Sequence, residues 1–280
     1  MSLLESLRVA ASGLATNKMR AILTMLGIII GVAAVVALLS LGQGVRASVT
    51  GQIESIGSNL VYITAYRDDS ATRLSYVTAE DADSLADPLY APALRSVAAA
   101  AQGALRVSFG DQGQSLTVVG TSAEYAVVRN LEAVLGGFLT RADQSDSARV
   151  AVLGGQAYAD LFAEGDYPVG QSISIDGVAF EVVGVLKEQG GLTSDDSSVF
   201  IPLSTAQARF FTQRTLSGEH PVQVIYASMV DGTVAQSAEE QIREWLRERH
   251  SLDPDAADDF RISTQQAILD VVDQITSLLT

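Results

Sequence analysis

The chain has 280 residues, with 18 Lys and Arg, 33 Asp and Glu, two His and no Cys, and its net charge is −15. This composition, with 48% hydrophobic residues, excludes a disordered chain, a disulfide scaffold and a Cys-ligated metal site. The acidic charge repels phosphate backbones, so we expect no nucleic-acid partner. The positive mean hydropathy of +0.23 needs a local cause.

Residues 21–41 supply that cause, because they contain no charge and 12 Ile, Leu or Val residues. As a helix this segment would be about 31 Å long, close to the ~30 Å hydrocarbon core of a bilayer. We therefore predict a transmembrane helix over 21–41. The alternative is a cleaved signal peptide, since Ser40-Leu41-Gly42 is a weak cleavage pattern, but the apolar run is long for that role.

Gly27 and Gly31 form a GxxxG pair within this span, and that spacing allows a second helix to approach closely. We predict helix packing there, although the pattern also arises by chance in apolar helices.

Residues 1–20 carry a net charge of +2, whereas the rest of the chain has 15 basic against 32 acidic residues. Lys18 and Arg20 adjoin the span and act as its cytoplasmic anchor, which places the N-terminus in the cytoplasm and the main domain outside. Leucines at helical spacing predict that residues 1–20 form an amphipathic cytoplasmic segment on the inner membrane face. The alternative is an unstructured leader.

Residues 42–58 continue the helical pattern beyond the apolar span. Apolar residues recur on one helix face, which predicts a stalk helix in water with Val45, Val49, Ile53 and Ile56 on its stripe. Gly57-Ser58-Asn59 ends it.

Residues 59–265 alternate between strand and helix patterns, which predicts an α+β extracytoplasmic domain with a mixed sheet. The clearest signal is Asp176-Gly177 between two alternating runs, a hairpin with a type I′ turn. Thr78 is a predicted helix N-cap. Further strands are predicted over 59–66, 97–100, 105–109, 115–120, 149–153, 199–203 and 222–228, with helices over 156–162 and 234–250. The last of these carries predicted Glu239–Arg243 and Glu244–Arg247 pairs.

Residues 266–280 form an amphipathic pattern without a breaker at Thr280. We predict a helix that leads to a second transmembrane span, in a parent chain that continues further. Its apolar stripe includes Ile268, Val271, Val272 and Ile275. Two such stripes bracketing one domain predict a lever, in which Ile53 and Val272 belong to helices packed side by side.

Catalytic motifs are not found. Residues 165–172 resemble a phosphate loop, but Gln171 replaces its lysine and a strand pattern follows, so we predict a turn.

His220 is expected in a loop and His250 at a helix C-terminus. Four aspartates over 253–259 lack the EF-hand spacing and favour a solvated loop over a calcium site. We predict no enzyme activity, cofactor or metal in this chain.

The stretch from Asn17 to Gly44, with its NKxR, LTMLGIIIGV and LGxG motifs, resembles the first membrane helix of MacB-type ABC transporter permeases, relatives of FtsX and of lipoprotein-releasing permeases. The resemblance extends through Gly137-Phe138-Leu139-Thr140, Val150–Gly154, Phe180–Leu186 and Val199–Pro202, which are similar to the family's extracytoplasmic core domain, and covers nearly the whole chain.

This resemblance implies a permease component in the cell membrane, apparently truncated, that relays ATPase-driven motion to the outer domain for export or extraction of a substrate. It implies an ABC ATPase subunit as partner, a homodimer or paired permease, and an adaptor or membrane fusion protein. The alternative is a membrane-anchored FtsX-like sensor or adaptor that regulates extracytoplasmic partners.

Overall fold

The structure, a computed structural model, describes residues 17–56, 59–66, 75–163, 165–190 and 195–264, with the backbone alone over 45–56. The chain divides into two compact units, and the larger runs from Gln52 to Ile268. The described part of the smaller unit is residues 17–51.

Regular structure alternates along the described chain. The helices are α1 Lys18–Ile56, α2 Ala79–Leu85, α3 Glu124–Val128, α4 Arg141–Ser145, α5 Gly155–Leu161, α6 Leu203–Arg209 and α7 Ala235–Arg249. The strands are β1 Leu60–Ala65, β2 Val77–Thr78, β3 Leu94–Phe109, β4 Gln112–Thr121, β5 Ala133–Gly136, β6 Val150–Leu153, β7 Ser172–Ile175, β8 Val178–Leu186, β9 Ser198–Pro202, β10 Pro221–Val222, β11 Val224–Met229 and β12 Phe260–Thr264.

Ten strands form one mixed sheet in the larger unit, which confirms the predicted α+β fold class. The order is β12-β1-β11-β3-β4-β9-β6-β8-β5, and β7 bridges β3 and β8. Only the β4–β9 and β6–β8 pairs are parallel among the described strands. The short strands β2 and β10 pair separately.

The first half of the sheet, from β12 to the start of β3, is buried on both faces. Alternate residues such as Val61 and Ile63 on β1 face the core that α2 and α7 close, while Leu60 faces the second core under α3. Alternation of side chains along a strand divides one strand between two cores in this way. The helix α7 contributes Ala238, Ile242 and Leu246, and its Trp245 stacks on Tyr90 at 3.7 Å.

The second half of the sheet closes on itself. The strands β3, β4, β9, β6, β8 and β7 pair in a ring that returns to β3 through the Val107–Ile175 pair. Closure removes the unpaired edges that open sheets expose. Apolar side chains, among them Val118, Ile173, Phe180 and Ile201, fill its interior, so the ring is a packed core.

Several sequence predictions match the observed elements. The turn between β7 and β8 has positive φ angles at both Asp176 (46°) and Gly177 (83°), as a type I′ hairpin requires. Thr78 caps α2 through a reciprocal capping box with Asp81. A strand follows residues 165–172, as expected for a turn and unlike a phosphate loop.

Other predictions are wrong in detail. The strands predicted over 97–100 and 105–109 are one 16-residue strand, β3, because β4 pairs with it across Gln102 and Gly103. The strand predicted over 222–228 divides into β10 and β11. Arg243 pairs with Glu239 at 2.6 Å as predicted, but Arg247 binds Asp258 rather than Glu244, since the folded-back loop after α7 offers a better placed carboxylate.

Candidate functional site

Helix α1 is continuous over 39 residues, which corresponds to about 58 Å. An 18-residue window within its segment Lys18–Gly44 has a mean hydropathy of 2.9, and no residue of that window is buried among the described residues. In the described chain it is the one helix long and apolar enough to cross a membrane. Large apolar side chains such as Ile28 (66% exposed) therefore need a hydrophobic surrounding from outside the described residues.

The predicted packing and anchor residues lie on this helix. Among the described residues, no heavy atom outside the neighbouring backbone of α1 lies within 4 Å of a Cβ built at Gly27 or Gly31. Lys18 and Arg20 lie in the first turn, and both are exposed. Their roles stay predictions.

The stalk residues Val45, Val49, Ile53 and Ile56 all belong to α1, since the helix continues beyond the apolar segment to Ile56. The glycines at 42, 44 and 51 do not interrupt it. The predicted stripe of Ile268, Val271, Val272 and Ile275, like the leader over residues 1–16, lies outside the described residues.

The chain enters and leaves the sheet at the same place. Strand β1 begins at Leu60, shortly after α1 ends, and β12 ends at Thr264. The two strands are antiparallel neighbours, and Val61 is the register partner of Thr264. The segments that precede β1 and follow β12 therefore start from adjacent positions at one end of the sheet.

A groove of about 550 Å³ lies in the larger unit. Its walls come from α2, the start of β3, the N-terminal side of α3, and α4 and α6. Charged side chains line it: Glu80, Asp83, Arg95, Glu124, Arg141 and His220. Sequence reasoning did not identify it, because the residues that form its walls are spread over positions 79–220 of the chain.

Two pairs of a basic and an acidic side chain lie along this groove. His220 bonds Glu80 through its Nδ1 at 2.9 Å, and its backbone N–H donates to the same carboxylate. Arg141 donates to Glu124 at 2.7 Å. His220, predicted as a loop residue, thus joins its loop to α2.

A second polar cluster joins α2, α7 and β12. Asp81 is buried and accepts from Arg249 and from the Thr78 backbone N–H. The His250 ring lies between two carboxylates, with Nδ1 2.7 Å from Asp259 and Nε2 3.3 Å from Asp81. His250 is the C-cap of α7, where the sequence placed it. Its carboxylate partners were missed, and only the Thr78–Asp81 capping spacing could have indicated one of them.

This cluster predicts that stability falls at alkaline pH. Burial lowers the pKa of His250, but the hydrogen bonds to Asp259 and Asp81 outweigh it and raise the pKa to about 9. A folded-state pKa above the unfolded value of ~6.5 gives stability that is complete below pH ~6.5 and lost as pH rises through about 9. We expect this loss to be about 1–3 kcal/mol.

The measurement is chemical denaturation of the full chain in detergent between pH 6.5 and 9.5. His250→Gln should be less stable than the native chain at pH 6.5 and should lack the alkaline decline. The matched control is His220→Gln, which should retain the decline. An identical pH profile for His250→Gln and the native chain would contradict the prediction.

A third polar cluster is buried beneath α3. Arg129 is 5% exposed, pairs with Asp195 at 3.2 Å and lies over the Tyr226 ring. Burial raises the pKa of Asp195, although Arg129 opposes this effect. Burial lowers the pKa of Arg129, but Asp195 more than compensates and raises it, so the guanidinium stays charged. The pair fixes the turn that leads into β9.

The acidic loop after α7 is engaged in ion pairs. Asp258 accepts from Arg243 and Arg247, and Asp259 contacts His250. In the described parts of the chain, no group of three or more His, Cys, Asp or Glu has the arrangement of a metal site.

The fold and the apolar helix define a class of protein. Residues 21–245 match the MacB-like periplasmic core domain, and the chain belongs to this family. The predicted resemblance is confirmed.

Individual relatives agree with this assignment. The chain is 31% identical over 270 residues to the pyoverdine export ATP-binding/permease protein PvdT of Pseudomonas fluorescens, covering 95% of this chain and 39% of the relative. It thus spans about two fifths of the curated relatives that it matches.

Two solved structures share the fold. The periplasmic region of MacB from Actinobacillus actinomycetemcomitans has a TM-score of 0.62 at 22% identity, covering 79% of this chain and 95% of that one. The extracellular domain of the noncanonic ABC-type transporter YknZ from Gram-positive bacteria has a TM-score of 0.60 at 19% identity, covering 74% and 100%.

Proposed function

We propose that this chain is part of the permease component of an ABC exporter, in which α1 crosses the cell membrane and the larger unit works outside the cytoplasm. The family assignment and the exposed apolar helix support this proposal. The basic N-terminal segment favours a cytoplasmic N-terminus. We propose the predicted domain boundaries: a cytoplasmic amphipathic segment at 1–20, the span at 21–41, the stalk at 42–58, the core at 59–265 and an amphipathic helix at 266–280.

The observation that carries the mechanism is the continuity of α1. Beyond the apolar segment, about 22 Å of helix leads from Gly42 to Ile56 and then directly to β1. A helix without a break moves as one element, so a shift of the span displaces the strand that follows. The adjacent ends of β1 and β12 support a second helix, over 266–280, beside the first.

Energy would come from an ABC ATPase, and we propose that ATP hydrolysis takes place outside this chain. A homodimer or paired permease would enclose the transport path, because the one apolar helix of the described residues cannot do so alone. An adaptor protein would complete the export route. Pyoverdine is the first compound to assay, since the curated relatives are named for its export.

Cysteine cross-linking tests whether the helices that carry Ile53 and Val272 pack side by side. The chain has no Cys, so Ile53→Cys with Val272→Cys introduces one defined pair. We expect disulfide formation in membranes under mild oxidation. We also expect Ile53→Cys alone to react with a membrane-impermeant maleimide in intact spheroplasts, which reports the outer location.

The matched control combines Ile53→Cys with Gln274→Cys, about 200° around the helix from position 272. Equal cross-linking of the two pairs, or none in either, would refute the side-by-side helices. If the thiol of the Ile53→Cys variant did not react in intact spheroplasts, the proposed orientation of the chain would be wrong. Co-purification with a cell-wall hydrolase and without an ATPase would favour the sensor alternative.

A further inference from the structure

The groove of the larger unit exists because its floor is built from small side chains. Helix α2 presents alanines at positions 79, 82 and 86 to it, and β3 contributes Val97 and Ala99. Larger residues at these positions would fill the space. A volume of about 550 Å³ is in the range of pockets that hold a small molecule or a few peptide residues.

Two of the three groove carboxylates have cationic or hydrogen-bonding partners in the fold. Glu80 pairs with His220, and Glu124 pairs with Arg141. Asp83 lies on the same wall of α2, is solvent-accessible, and takes part in none of the ion pairs among the described residues. Arg95 is the other groove cation, and it donates to the carbonyl of Val230.

The electrostatics of Asp83 reflect this arrangement. Partial burial raises the pKa of Asp83, and the nearby carboxylates of Glu80 and Glu124 raise it further. The positive charge of Arg249 lowers this pKa, but by less than the other groups raise it. A carboxylate next to like charges is stabilised by any cation that enters the groove.

We propose that the groove binds a ligand that bears a primary ammonium or guanidinium group, with Asp83 as its counter-charge. Glu80 and Glu124 flank the cation, and the alanine floor receives the apolar stem that such groups carry. A small amine and a basic side chain of a peptide offer the same chemistry. This inference does not depend on the proposed transport function, because it concerns binding at equilibrium.

Saturation-transfer NMR on the full chain in nanodiscs tests the site at about 0.15 M salt, where surface charges are screened. The probes are Nα-acetyl-lysine methylamide, its uncharged Nε-acetyl analogue, and the pentapeptide Ac-Ala-Ala-Lys-Ala-Ala-NH₂. We expect the charged probes to bind, and the uncharged analogue to bind at least about fivefold more weakly.

Asp83→Asn should weaken binding of the charged probes by about five- to tenfold, and Asp83→Lys should abolish it. The matched control is Asp111→Asn, which removes an exposed carboxylate at the tip of the β3–β4 turn and should leave binding unchanged. Stronger binding of the pentapeptide than of the lysine derivative would identify a peptide as the source of the cation, and equal binding a small amine.

Equal affinity for the charged and uncharged probes would overturn the proposal. So would equal effects of Asp83→Asn and Asp111→Asn, since binding would then follow the net charge of the protein. Far-UV circular dichroism of each variant confirms that the fold is retained.

Discussion

Asp195→Ala is expected to destabilise the larger unit by about 3–5 kcal/mol, the loss typical of breaking one side of a buried ion pair. Arg129 stays charged at 5% exposure, and the substitution removes its carboxylate together with the acceptor near the Tyr125 hydroxyl. Chemical denaturation of the full chain in detergent, followed by circular dichroism, measures the effect.

The control is to remove both charges. Arg129→Met with Asp195→Leu removes both members of the buried pair, so the double variant should be more stable than Asp195→Ala alone. A free energy of unfolding for Asp195→Ala within about 1 kcal/mol of the native value would contradict the structural role assigned to the pair.

Ala47→Pro is expected to abolish export by the proposed transporter while the larger unit stays folded. Proline in a helix interior removes a backbone hydrogen bond and costs about 3 kcal/mol or more, so it kinks α1 between the apolar segment and β1. If motion travels along this helix, a kink there disconnects the span from the sheet. The measurement is export of the transported compound together with ATPase activity.

Ala47→Leu is the matched control, because leucine is a strong helix former and leaves helix α1 continuous. It should retain export. Native export by Ala47→Pro, at normal expression, would show that an unbroken α1 is not required.

The elements that the sequence predicted well are those whose signals are local. The Asp176-Gly177 turn, the Thr78 cap and the apolar stripe of α7 each depend on residues within one or two turns of chain. The apolar run of α1 is likewise a property of consecutive residues. Local chemistry determines these structures directly.

The features that the sequence did not predict depend on long-range pairing. Alanine favours helices, yet Ala98–Ala101 lie within β3, because both faces of this strand are buried and only small side chains fit there. His250 and Asp81 are 169 residues apart, and no pattern near either one indicates the other. The groove and the closed ring of strands arise from such distant contacts alone.

Strand β3 has a mechanical consequence for the larger unit. Its 16 residues, about 50 Å, belong first to the doubly covered sheet and then to the closed ring. The strand β3 thus runs through both halves of the sheet, and it is hydrogen-bonded to β4 over ten register pairs. Bending the halves against each other would break that ladder, so we expect β3 to hold the two halves of the sheet in a fixed relation.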